Sequence, residues 1–400
     1  MAKKASAVSS SPSPPPLSVR HMLWLGWKMV IALSLALCVL IFLRLHYYSL
    51  SDSDDLITAS KALLSVSYKP HRHLAENFSG NPKVSFLFLT RSSLPLDFVW
   101  RSFFQIADPA NFSIYIHSKP GFSFDHSTTS SPFFYNRQLN NSILVAWGES
   151  SMIEAERLLL AAALEDPANQ RFVLLSDSCV PLYNFSYVYN YLMSSPKSFV
   201  DSFLDVSGKD NRYNPKMKPY IPKSKWRKGS QWIALVREHA EIVADDKIVL
   251  PVFRKYCKRR PPIEASLKSR NLNLQKQHNC IPDEHYVQTL LEMHGVGAEL
   301  ERRTITYTVW NQSTSNMEKG AWHPKRFTYS DAEPEKINKI KDIRYVYYKT
   351  EARTEWCSNN STRVPCFLFA RKFSRAAGMR LLSVVGGSLE GSAASKEPPP

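Results

Sequence analysis

The stretch ILVAWGESSMIEAERLLLAAALEDPANQRFVLLS, residues 143–176, decides the fold class. Two near-continuous apolar runs, Ile143 to Trp147 and Phe172 to Ser176, flank a segment of different period. Such runs are expected of strands covered on both faces, in a sheet lying between helices. The intervening SSMIEAERLLLAAALED reads as a helix: Ser151 and Glu154 have capping-box spacing, and Ile153, Leu158 and Ala162 fall along one inward face. Strand, helix and strand in succession predict an α/β domain.

Upstream, VSFLFL (Val84 to Leu89) and FSIYI (Phe112 to Ile116) have the same continuous apolar character. Downstream, SFVDSFL, SQWIALV, ITYTVW and RYVYY read as further strands, and REHAEIVAD, PDEHYVQTLLEM and EPEKINKIKDI as helices. In open α/β sheets ligand sites gather beyond the carboxyl ends of strands. That rule singles out Thr90 and Arg91, His117 and Ser118, Trp147, and Asp177 in SDSCVP as candidate ligand contacts.

The remainder of the chain bounds where such a domain works. Of 400 residues, 44% are hydrophobic and 12% aromatic, enough for a substantial core. Residues 1–21 are Ser/Pro-rich and basic, a disordered cytoplasmic tail. Residues 22–43 are apolar but for Lys28, and no small-residue cleavage site follows, so they read as an uncleaved signal-anchor. Lys3, Lys4, Arg20 and Lys28 precede the apolar run and the acidic SDSDD follows it, which orients the rest of the chain to the lumen. Residues 44–83 read as a polar stem, 84–380 as the lumenal domain and 381–400 as a disordered tail. Asn77, Asn111, Asn140, Asn184, Asn311, Asn359 and Asn360 each begin a glycosylation acceptor, all beyond the anchor. In an oxidising compartment Cys179, Cys257, Cys280, Cys357 and Cys366 allow at most two internal bridges, and Cys357 with Cys366 could close a local loop.

The formal charge of +16 is concentrated in 209–228 and 254–276. A lumenal address excludes nucleic acid and leaves nucleotide-sugars, acidic glycans or phospholipid headgroups as anionic partners. Asp52-Ser53-Asp54 matches a metal-diphosphate motif as text but lies in the stem, and Asp177 has no second acid two residues on. No metal or other cofactor is therefore expected. Basic side chains must then balance a leaving diphosphate, and Arg344, Arg371 and Lys372 stand next to apolar runs. In NCIPDEHYVQTLL, residues 279–291, Asp283 and Glu284 read as the first turn of a helix, where carboxylates are favoured.

VLLSDSCVPL, KGSQWIALVREHAEIV, CIPDEHYVQTLL and PCFLFARKF, in that order behind an anchor, resemble the core-2/I-branching β-1,6-N-acetylglucosaminyltransferases, most closely their plant branch. The resemblance covers about Val84 to Phe373. It implies a GT-A-like, Rossmann-like nucleotide-sugar transferase fold and metal-independent inversion. It implies Glu284 of Pro282-Asp283-Glu284 as catalytic base, and Arg344 and Lys372 facing the donor diphosphate. Trp310 is implied against an acceptor sugar. IHSK at His117 and FLTR at Thr90 depart from the family pattern on the donor side. Arg212 and Tyr213 are candidate acceptor contacts, whereas Glu154 and Glu156 read as helix capping and surface charge.

These readings combine into a Golgi type II glycosyltransferase passing a sugar from a UDP-sugar to a glycan or glycoprotein. By resemblance the sugar is N-acetylglucosamine. A glucuronosyl- or xylosyltransferase of the same fold, acting on cell-wall or arabinogalactan-type glycans, and a non-catalytic glycan-binding protein are the alternatives.

Overall fold

The computed structural model of the chain describes residue 24 and residues 27–44, 78–205, 212–260, 279–310, 323–359 and 362–389. The polar leader, Asp52 to Asp54 and nearly all of the stem fall outside them. One described helix, Trp27–Arg44, is long and apolar enough to cross a membrane, with a mean hydropathy of 2.1 over 18 residues. The ammonium of Lys28 lies 3.4 Å from the centre of the Trp24 ring.

The described residues from 78 onward are built on a six-stranded sheet. Its parallel part comprises β1 (Lys83–Leu89), α1 (Asp97–Gln105), β2 (Phe112–His117), α2 (Ser150–Leu164) and β3 (Asn169–Ser176). β1 lies between β2 and β3, parallel to both. There follow β4 (Val180–Pro181), α3 (Phe185–Ser194), β5 (Ser198–Phe199), β6 (Phe203–Leu204), β7 (Arg227–Lys228), β8 (Ala234–Val236), α4 (Arg237–Asp245) and α5 (Val249–Tyr256). Then come α6 (Tyr286–Met293), β9 (Leu300–Glu301), β10 (Thr306–Thr308), α7 (Pro334–Lys341), β11 (Tyr345–Tyr348) and β12 (Arg353–Trp356). β13 (Ser358–Asn359), β14 (Thr362–Arg363), β15 (Phe369–Arg371) and α8 (Arg375–Leu389) complete the chain order. The large sheet runs β2-β1-β3-β8-β5-β9, and β10-β15-β4 form a second sheet.

Strand alternation divides the core. Phe86 and Phe88 point to one face, where they meet Trp100, Phe103 and Phe104 of α1, with the Phe86 and Phe104 rings 5.2 Å apart. Leu87 and Leu89 point to the other, against Ile153, Leu159 and Leu160 of α2. Burial of β1 on both faces is what its unbroken apolar run requires.

Several expectations differ from the structure, each for an identifiable physical reason. The run Ile143 to Trp147 is not a strand: the outer edge of β2 is already taken, because Ile116 bonds Arg137 and Leu139 on either side of a bridge to Gln138. Helix α2 lacks the capping box. It starts at Ser150, the Ser151 hydroxyl accepts from Ala146 N, and Glu154 pairs with Arg254 on the surface at 2.8 Å. Its buried face runs through Met152, Ile153, Ala155, Glu156, Leu159, Leu160 and Ala163, leaving Leu158 and Ala162 half-buried. Glu156 is therefore an interior acid rather than surface charge. Pro282 to Glu284 form a separate 3-10 turn, and α6 begins at Tyr286 after a break at His285 with φ −135°. The break seats the buried His285 ring on Trp226, 4.4 Å away, with Nδ1 against Arg227 O at 2.8 Å. Lastly, the chain beyond Leu381 is helical to Leu389, because Ala377 and Leu381 are buried and Gly378 lets α8 approach Leu96 and Val99.

Two disulfides, Cys257–Cys280 and Cys357–Cys366, leave Cys179 buried and free, in line with two bridges and one spare.

Candidate active site

The turn carrying Glu284 is held from several sides. Gly229 N donates to Glu284 O at 2.9 Å. Gly229 has no room for a side chain, since a Cβ there would lie 1.7 Å from the Asp201 carbonyl oxygen. The Asp201 carboxylate accepts from Ser230 N at 3.0 Å and from the Tyr348 hydroxyl. The Glu284 carboxylate is 24% exposed and forms an ion pair with Arg212. Arg212 thus stands beside the candidate base, as an acceptor-side residue would. Tyr213 does not share that position: it is buried, its hydroxyl donates to Ile221 O at 2.7 Å, and its ring packs on Trp226.

Asp283 points inward. Burial, then the charge of Glu284, pushes its carboxyl up to about 7 against the opposing pull of Arg212 and Arg371. Its Oδ1 is buried with no partner among the described residues. Glu156 faces it from α2, accepts from Gln231 Nε2 at 2.7 Å, and is pushed well above the carboxylate range by burial and, less, by Asp283. Two buried acids, Asp283 and Glu156, whose protonated forms burial favours, thus lie behind the partly exposed Glu284.

A cationic cluster adjoins these acids. Arg371 closes β15 and stacks 4.4 Å over Trp232, and its field is felt both by Asp283 and by Lys372. Burial, then Arg371 and Arg91, holds the Lys372 ammonium below its ordinary range, with Asp177 opposing and Arg326 adding to the effect. The His323 imidazole is lowered by burial and then by Lys372, Arg259 and Arg91. The Arg259 guanidinium lies 4.2 Å over the Trp147 ring, and the His323 ring is 5.0 Å from it. Basic side chains from the ends of β1 and β15 and from intervening loops thus gather around Lys372, on which Asp177 acts as the opposing carboxylate.

The floor beside them contains two orphaned polar groups. Thr90 is occupied locally, its N donating to His117 O at 2.9 Å and its hydroxyl to Ser92 O at 3.0 Å. His117 is buried, and burial lowers its basicity. Its Nε2 accepts from Ile143 N at 3.0 Å, so the neutral ring carries its proton on Nδ1, which has no described partner. The buried Ser118 hydroxyl has none either. Unpaired buried donors at a strand end are costly without a ligand to satisfy them.

Other expected site residues stand apart. Arg344 donates to Lys341 O, approaches Asp342 at 3.9 Å, and lies near Tyr183, Tyr187 and Tyr191. Its carbonyl accepts from Cys357 N at 2.9 Å at the start of the β11–β12 pair, and none of Lys372's neighbours is among its partners. Trp310 is 51% exposed after β10. Of the glycosylation acceptors, Asn140 and Asn184 are exposed and Asn111 is half-buried. Asn184 uses Oδ1 to cap α3. Asn359 instead donates its Nδ2 to Tyr191 O at 3.2 Å and Ser194 Oγ at 2.5 Å. Asn77, Asn311 and Asn360 lie outside the described residues. Asp201, His323 and the interior place of Glu156 carried no sequence signal, whereas Arg259 lies in the basic stretch 254–276 that composition singled out.

A cavity of about 520 Å³ opens at the opposite end of the sheet, among Lys83, Phe112, Arg137 and Asp166 near the first residues of β1 and β2. Lys83 and Asp166 pair with each other there at 2.9 Å. Among the described residues no group of three or more His, Cys, Asp or Glu side chains is arranged to hold a metal ion.

Residues 84–341 match the model of the Core-2/I-Branching enzyme family. The chain is similar to the protein named Glycosyltransferase BC10 of Oryza sativa subsp. japonica. The two are 55% identical over 316 residues, which is 76% of this chain and 77% of the rice protein. The family match extends through β1, β2 and β3 and the Pro282 to Glu284 turn, and ends before Arg371 and Lys372. The chain belongs to the core-2/I-branching enzyme family and is a glycosyltransferase.

Proposed function

We propose that the chain is a Golgi type II membrane enzyme with a GT-A-like, Rossmann-like catalytic domain that transfers a sugar from a UDP-sugar with inversion and without a divalent metal. The observation that carries this reading is the adjacency of a partly exposed acid, Glu284, and its buried neighbour Asp283 to Arg371, which together with Arg91 and Arg326 surrounds Lys372.

The donor lies over the carboxyl ends of β1, β2 and β3, with His117 Nδ1 and Ser118 Oγ binding the nucleoside and Trp147 beside it. The diphosphate meets Lys372 as a point charge and Arg371 as a planar fork. Arg91 takes the part expected of Arg344. The acceptor hydroxyl, on the Arg212 side with Trp310 at the rim, attacks the anomeric carbon while Glu284 takes its proton. The bond to the diphosphate breaks, and the negative charge left on UDP is balanced by fixed cations that need no rearrangement. Arg212 aligns the Glu284 carboxylate, and an incoming hydroxyl inserts between them. The anchor at 22–43, the stem at 44–83 and the lumenal domain to about residue 380 keep the site in the Golgi lumen. The family supports N-acetylglucosamine as the transferred sugar. The basic site also suits glucuronate, which an acidic donor preference would reveal.

Thermal shift of the detergent-solubilised chain against a UDP-sugar panel in the presence of chelator tests this reading. Stabilisation by UDP and by one sugar nucleotide in chelator, lost in Lys372→Ala, is the expected result. Stabilisation only when a divalent metal is added overturns it.

A further inference from the structure

The hairpin formed by β11 and β12 has two unlike faces. In its antiparallel register Tyr345 lies opposite Trp356 and Tyr347 opposite Thr354. Val346 packs against the core, and Tyr348 is buried with its hydroxyl on Asp201. The other face presents Tyr345, Tyr347 and Trp356 to solvent, 52%, 57% and 50% exposed. The Tyr345 and Trp356 rings are 5.1 Å apart, and the Arg363 guanidinium lies 4.5 Å from the centre of the Trp356 ring. Arg363 is exposed and has no ion pair to a carboxylate among the described residues. A cross-strand pair of large aromatics, a third aromatic on the same face and a cation without an ion pair among the described residues form a contiguous exposed apolar patch of the kind that marks a binding surface.

The same hairpin is tied through its buried side to the elements that hold Glu284. Phe203 of β6 packs on Tyr348 with ring centres 5.5 Å apart, and Leu204 N donates to Glu351 Oε1 at 2.9 Å. Through Asp201 the same hairpin fixes the Gly229–Ser230 loop that holds Glu284.

We infer that the Tyr345–Tyr347–Trp356–Arg363 face is a second glycan-binding subsite, which grips the acceptor chain at sugars remote from the one receiving transfer. The inference rests on the proposed sugar-transfer reading. The occupant is a glycan chain because each exposed ring offers a flat apolar surface to the axial C–H face of a pyranose, while the tyrosine hydroxyls and Arg363 are donors for ring hydroxyls or uronate carboxylates. A protein partner would be expected to meet a more enclosed apolar surface with a polar rim. The subsite makes no contact with the reacting atoms, so it acts on acceptor affinity and chain-length preference.

The test is retention of the detergent-solubilised full chain on beads bearing xylan, hydroxyethylcellulose or arabinogalactan, with hydrolysis of UDP-sugar measured in parallel. Wild type and Glu284→Gln should be retained alike on at least one polysaccharide. The double variant Tyr345→Ala/Trp356→Ala should bind about tenfold more weakly. Its donor hydrolysis should be unchanged, and Tyr345→Phe/Trp356→Phe should restore binding. Retention on none of the three, equal retention by the alanine variant, or failure of the phenylalanine variant to restore binding overturns the inference. So does loss of self-association in the alanine variant, which would make this face a contact between copies. Loss of hydrolysis in Glu284→Gln bears only on the transfer site, so the two readings fail separately.

Discussion

Replacing Asp283 by asparagine isolates the cost of keeping an acid behind the reacting one. The folded carboxyl titrates at about 7, against an ordinary value of 3.8, because it is buried and faces Glu284. Folding therefore favours the protonated form, and the unfolded chain binds fewer protons between those values. The stability Asp283 contributes is fully present below about pH 4 and is lost as pH rises through about 7. About three pH units at roughly 1.4 kcal/mol each set an upper limit of about 4 kcal/mol. Coupling to Glu156 and local solvation reduce it, and we expect about 2 kcal/mol, or about 4 °C in apparent Tm for a domain of this size. Asp283→Asn removes the titration while keeping the shape. Thermal unfolding of both proteins at pH 5 and pH 8 should show the variant more stable at both, with an advantage at pH 5 less than half that at pH 8. Asp201, lifted to about 6 by burial, titrates in both proteins and cancels in the comparison. Equal pH dependence in the two proteins would refute the placement of an ionisable group in that interior.

Three further outcomes follow from the same geometry. Gly229→Ala forces the turn away from Asp201 and should lower transfer about 100-fold while the domain stays folded by circular dichroism. Lys372→Ala should weaken UDP affinity at least tenfold by calorimetry, whereas Arg344→Ala should leave it within about twofold. Trp100→Ala empties the aromatic cluster between β1 and α1 and should cost about 3–5 kcal/mol in denaturant unfolding.

What could be read from the sequence follows the range of the forces involved. β1, β2 and β3 were legible because burial on both faces leaves an unbroken apolar run. The run at 143–147 has the same composition, but whether it pairs depends on whether the edge of β2 is free, and Arg137 to Leu139 occupy it. Glu284 was legible as a motif. Its helical context was not, because the break at His285 is made by a tertiary contact with Trp226. Glu156 looked like surface charge one residue from Ala155, and only the orientation of α2 sends it inward. Arg344 and Lys372 look equivalent in sequence, yet β11 and β15 belong to different sheets and carry them to different neighbourhoods.

In the proposed mechanism Glu284 removes the acceptor proton beside a cationic diphosphate site. Its most direct test is turnover of a UDP-sugar by the full chain in chelator, comparing wild type with Glu284→Gln. Activity in wild type, a loss of at least about 100-fold in the variant, and unchanged UDP affinity in both are expected. Undiminished turnover in Glu284→Gln, or activity in wild type that chelator abolishes, would contradict it.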